Sequence, residues 1–94
     1  MNEQVAAEIA EEYLTRWRRV AIYAELALME ENGDKDWENI VGRDSNEYKI
    51  LTYVVRDADE RLRMVVAVSD RRRRSTNAPF TRDQIIRSDG TYVE

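Results

Sequence analysis

Ninety-four residues with a net charge of −4, no cysteine and no histidine exclude a good deal at once. Disulfides, thiolate metal sites and cysteine nucleophiles go with the cysteines, and the commonest general base, metal ligand and neutral-pH switch go with the histidines. The length suits a single domain, 1–94, and an apolar content of 43% is enough for one core.

No apolar run approaches the roughly 20 residues that cross a bilayer, and the N-terminus has no basic region leading into a hydrophobic stretch. A cytoplasmic protein is therefore expected. Thirteen of the fifteen basic residues are arginine. Such an excess suits phosphate or carboxylate recognition, but a GC-rich genome produces it too, and more often.

From Glu3 to Glu31 the chain reads as one long amphipathic helix. At 100° per residue, Val5, Ala6, Ile9, Ala10, Tyr13, Leu14, Trp17, Val20, Ala21, Ala24 and Leu28 share one half of it. Glu8, Glu11, Glu12, Thr15, Arg18 and Arg19 take the other half. Asn2 is placed to cap the N-terminus, with acidic Glu3 in the first turn. Asn32-Gly33 is the expected terminator, because glycine adopts the left-handed conformation without a Cβ penalty. The second half of this helix is apolar on every side. Ile22, Leu26 and Met29 fall together away from the main stripe, and a helix that is apolar all round expects cover all round. Either Trp37, Ile40 and Val41 fold back over that second stripe, or a second copy of the chain covers it.

Residues 32–46 carry connector chemistry, interrupted by the apolar cluster Trp37 to Val41, which suits one helical turn or a short extended piece. The spacing Asn32, Asp34, Asp36, Glu38 faintly resembles a calcium loop. Trp37 stands where such a loop needs glycine, however, and no glutamate closes it.

Glu47 to Arg56 reads as a strand with Tyr48, Ile50, Thr52 and Val54 on one face and Lys49, Leu51, Tyr53 and Val55 on the other. Both faces are largely apolar, which predicts a central position. After the polar turn Asp57 to Glu60, Arg61 to Ser69 reads as a second strand with Leu62, Met64, Val66 and Val68 inward, so the two form an antiparallel hairpin.

Asp70 to Ala78 is a polar excursion holding the run Arg71, Arg72, Arg73, Arg74, the feature best suited to contact an anion or nucleic acid. No aromatic lies between Tyr53 and Phe80 to stack on a base, and the domain is acidic overall, so a solvated loop is the commoner outcome. Thr81 and Gln84 then form a capping box, flanked by Phe80 and Ile85 as a hydrophobic staple, which predicts a short helix over 82–87. The competing arrangement is a strand there, joined to Thr91-Tyr92-Val93 through a tight Asp89-Gly90 turn.

The expected fold class is α+β, a long N-terminal helix packed across a small antiparallel sheet in the order α-β-β-short α-β. In layout alone it is similar to cystatin-like and nuclear-transport-factor-like folds, where a sheet curls around one helix. No motif supports more than that.

No constellation suits catalysis, a cofactor or a metal. The carboxylates of Asp57, Asp59 and Glu60 sit in a hairpin turn, and Glu11, Glu12, Glu30 and Glu31 sit on the wet face or the end of the helix. The expected function is a non-enzymatic interaction or regulatory module, self-associating as a homodimer through Ile22, Leu26 and Met29, or else binding another protein. Two alternatives stand beside it. One is a nucleic-acid-binding accessory role for Arg71 to Arg74; the other is a small-molecule pocket between helix and sheet near Tyr13, Trp17 and Tyr53.

Overall fold

The structure is a computed structural model describing residues 1–70 and 79–94. Two helices, α1 (Glu3–Val20) and α2 (Tyr23–Asn32), precede five strands: β1 (Lys35–Val41), β2 (Glu47–Ala58), β3 (Arg61–Asp70), β4 (Phe80–Ile86) and β5 (Tyr92–Val93). The strands form one antiparallel meander in the order β1-β2-β3-β4-β5, with both helices packed on one face. The α+β class with its N-terminal helix on a sheet is as expected, and among the described residues no helix is long and apolar enough to cross a membrane.

The single long helix is corrected to two. Ala21 and Ile22 are both extended, at φ −69, ψ 135 and φ −120, ψ 124. No glycine or proline marks the break, so the sequence gives little warning of it. β-branched Val20 and Ile22 do favour extended backbone. The larger cause is tertiary. An unbroken helix over these residues would run roughly 45 Å in one direction, whereas α1 packs against β3 and β4 and α2 against β2 and β3. A strand pair twists by roughly 20–25° relative to its neighbour, so a helix following several strands must turn.

The break also resets which side chains face in. Leu26, expected on the outer stripe, is buried in the core at 2% exposure, and Leu28, expected on the inner one, stands 58% exposed. The caps themselves are as expected: Asn2 Oδ1 accepts from the Val5 N–H, and Gly33, at φ 67, closes α2 with its N–H directed to Glu30 and the Asp34 N–H to Met29.

Tyr48, Ile50 and Val54 of β2, Leu62, Met64, Val66 and Val68 of β3, and Ile86 of β4 pack under Val5, Ala6, Ile9, Ala10 and Leu14 of α1 and Leu26 of α2. The hairpin of β2 and β3 is the one read from alternation, lengthened by two residues at the end of β2 and carrying a bulge between Arg56 and Ala58. β2 is central, as its two apolar faces require.

The helix expected over 82–87 is corrected to strand β4, and the Asp89-Gly90 turn leads into β5. Residues Phe80 to Ile86 pair in unbroken register with Val68 to Leu62. A capping box contributes about 1 kcal/mol to a helix. Pairing β4 instead satisfies the second edge of β3 and puts Ile86 in the core at 1% exposure.

Candidate functional site

The second face of the sheet has no helix over it among the described residues. Its cross-strand rows run Lys35–Tyr53–Val65–Asp83 and Trp37–Leu51–Ala67–Thr81. Charged side chains screen much of this surface. Lys35 lies over the Tyr53 ring and Lys49 over the Trp37 ring, at 5.6 and 5.2 Å from the centroids, and Arg63 joins Asp57 to Asp83. Val65 and Ala67 are consequently buried in the single chain. The middle of this face is closed by its own side chains, while Trp37, Val41 and Val55 remain exposed on it.

The edge is different. β1 lies at the rim of the sheet, and Trp37 and Val41 are 62% and 67% exposed on one face of it. Which of its backbone groups are free follows from the turn beyond it. Gly42 donates its N–H to the Asn46 carbonyl at 2.8 Å, and Ser45, left-handed at φ 66, donates to the Gly42 carbonyl. Gly42 is therefore hydrogen-bonded inward to β2. In an antiparallel ladder such pairs alternate, so Ile40, Glu38 and Asp36 also point their backbone groups at β2. The Thr52 hydroxyl, 3.4 Å from the Asp36 carbonyl, agrees. The N–H and C=O groups of Lys35, Trp37, Asn39 and Val41 face outward, and among the described residues no strand pairs with them.

A hollow of about 470 Å³ lies beside this edge, between β1 and the C-terminal half of α1, with Tyr13, Arg16, Trp17, Val20 and Met29 along one wall and Asp36 and Glu38 along the other. The Tyr13 hydroxyl donates to Glu38 Oε1 at 2.6 Å, and the Arg16 guanidinium lies 4.6 Å from the Tyr13 ring centre. Burial and the hydrogen bond to the Glu38 carboxylate push the Tyr13 phenol up to about 12. Trp17, expected on the inner stripe of the helix, is half-buried in the wall of this hollow, and Val20 at its mouth is 70% exposed.

The stripe expected to carry self-association is corrected. Ile22 is exposed, Leu26 is core and Met29 borders the hollow, so the three do not share a surface. Of the three residues named for the alternative small-molecule pocket, Tyr13 and Trp17 line the hollow, whereas Tyr53 lies on the opposite face of the sheet. Arg71, Arg72, Arg73 and Arg74 lie outside the described residues. Among the described residues no group of three carboxylates is placed to hold a metal ion.

Sequence reasoning missed the edge. The signal was present as a period of two, with Trp37 and Val41 flanking Asn39, but the charges at Lys35, Asp36 and Glu38 made the segment read as a connector. No protein-family model, curated protein or solved structure matches this chain.

Proposed function

We propose that this protein is a non-enzymatic, self-associating interaction module, and that a second copy of the chain joins it at the free edge of β1. The observation that carries this reading is the coincidence, on one rim strand, of outward backbone groups with the exposed Trp37 and Val41. An unpaired strand edge is a template for another strand, and proteins that avoid pairing normally cover it, shorten it or twist it away. Here charge on the seven-residue strand β1 is confined to Lys35, Asp36 and Glu38, the stretch from Asn39 to Val41 carries none, and the two most exposed apolar side chains of the strand lie on the same face. A symmetric contact needs only one self-complementary surface. The lack of cysteine supports a cytoplasmic setting for it.

A single strand edge buries less than the roughly 1,200 Å² of a standard interface, which makes the association weak and concentration-dependent. Sedimentation at increasing chain concentration tests it. The expected result is a reversible monomer–dimer equilibrium that the double change Trp37→Lys, Val41→Lys shifts to a folded monomer. A wild-type chain that stays monomeric into the high micromolar range refutes the reading.

The hollow favours a second reading, a small-molecule site. Its volume of about 470 Å³ lies in the range of ligand pockets, and the carboxylates of Asp36 and Glu38 opposite the indole of Trp17 suit an aromatic amine. Saturable binding of phenethylamine by titration calorimetry, lost in Trp17→Leu with the fold intact, is the outcome that favours it; heats that never saturate count against it.

A further inference from the structure

Resting on the self-association just proposed, we infer that two chains join antiparallel about a two-fold axis at Asn39, making one continuous ten-stranded sheet in which Trp37 of each chain packs on Val41 of the partner subunit.

The register follows by elimination. The free backbone groups of β1 belong to its odd-numbered residues, so an odd residue must face an odd residue for both to be satisfied. Any axis lying between two residues sets odd against even and is excluded.

Four axes on a residue then remain near the middle of the strand. An axis at Glu38 sets the Glu38 carboxylates of the two chains directly opposite in a non-hydrogen-bonded pair, with Cα atoms about 4.5 Å apart, where like charges repel. It also sets Trp37 against polar Asn39 and Val41 against the Lys35 stem. An axis at Trp37 sets Asp36 against Glu38 twice over. An axis at Ile40 avoids like charges but carries Trp37 beyond the partner's strand, opposite Arg43 in the turn, and leaves only Asn39 and Val41 paired.

An axis at Asn39 sets no like charges opposite within the paired strands; Lys35 comes opposite Arg43 only in the turn beyond the partner's strand, where Glu8 already pairs the guanidinium at 2.7 Å. Trp37 meets Val41, Asn39 meets Asn39 and Val41 meets Trp37, each pair exchanging two backbone hydrogen bonds. An aromatic set against a β-branched residue is among the favourable cross-strand pairs. These are also the two most exposed apolar side chains of the strand, at 62% and 67%. On the helix face Glu38 comes opposite Ile40 of the partner subunit. That apolar neighbour is compatible with Glu38 because the Tyr13 hydroxyl already holds its carboxylate toward α1.

The same pairing puts Ile40 of the partner subunit at the outer rim of the hollow, next to Glu38, so each copy helps to wall the other's cavity.

A chain without cysteine allows a direct test of register. Asn39→Cys, Glu38→Cys, Trp37→Cys and Ile40→Cys are made singly, their fold is checked by circular dichroism, and each is oxidised mildly with glutathione disulfide. The covalent dimer is then read on a non-reducing gel. Across the proposed axis the two residues at 39 have Cα atoms about 5.5 Å apart, inside the roughly 4.4–6.8 Å that a disulfide spans. Asn39→Cys should therefore cross-link several-fold faster than the other three.

Faster cross-linking at position 38, 37 or 40 overturns the Asn39 register while leaving the edge contact in place. Uniformly slow cross-linking in a protein that still sediments as a dimer moves the contact off β1 and overturns both. A monomeric wild type overturns the self-association and, with it, the Asn39 register that rests on it.

Discussion

The hydroxyl of Tyr13 and the carboxylate of Glu38, twenty-five positions apart in sequence, meet at 2.6 Å and tie the middle of α1 to the rim strand. Few other contacts hold β1 from the helix side, because α1 packs chiefly on β3 and β4 and α2 on β2. Tyr13→Phe should remove this tether with little change in packing. The expected loss is about 0.5–1.5 kcal/mol, together with faster amide exchange in Lys35 to Val41 than in β3. Unchanged exchange across β1 would mean that the bond does not hold the strand.

Alkaline pH should act through two phenols. Burial, then a hydrogen bond to a carboxylate, raises Tyr13 and Tyr48 from 10.0 to about 12, with Glu38 accepting from the first and Asp44 from the second. A folded-state value above the unfolded one favours the neutral phenol in the fold. The associated stability is fully present below pH 10 and is lost as the pH climbs toward 12. Urea midpoints measured across that window should fall more steeply for the wild type than for Tyr48→Phe. Parallel slopes would assign the alkaline loss to other groups.

Two leucines two residues apart should behave oppositely. Leu26→Ala opens a cavity in the core beneath α2 and should cost about 2–5 kcal/mol. Leu28→Ala changes an exposed side chain and should stay within about 0.5 kcal/mol of wild type. Chemical denaturation of the pair checks the orientation of α2 directly. Equal costs would mean that α2 is rotated from the position described.

The turn between β1 and β2 offers a second contrasted pair. A Cβ on Gly42 would stand 2.7 Å from the buried Tyr48 ring, 2.8 Å from Asp44 Oδ1 and 3.0 Å from Val5 Cγ1. Gly42→Ala should therefore destabilise by about 1–3 kcal/mol through overpacking. Ser45 holds φ 66 three residues on, a conformation that costs a side chain about 1–2 kcal/mol. Ser45→Gly should thus raise the melting temperature. A fall would place the Ser45 hydroxyl in a role that outweighs backbone strain.

Much of this protein is determined locally and can be read from the chain. Asn2 and Gly33 bound the helical region because a side-chain acceptor and a left-handed residue satisfy helix ends wherever they occur. The alternation of Tyr48, Ile50 and Val54 with Leu62, Met64, Val66 and Val68 specifies the central hairpin and its buried face, since a period of two has one geometric solution.

Tertiary structure alone decided the rest. Thr81 and Gln84 carry a sound local signal for a helix, overridden because β3 needed a partner on its second edge and Ile86 a place in the core. Residues 20–22 carry no breaker, yet the chain turns there to follow a twisted sheet, and that turn sends Leu26 inward and Leu28 outward. β1 drew its strand character from β2, not from its own mixed composition. Its position at the rim, which leaves Trp37, Asn39 and Val41 with backbone groups facing out, is a property of strand order. Strand order depends on pairings between residues far apart in sequence, and no local window of the chain contains them.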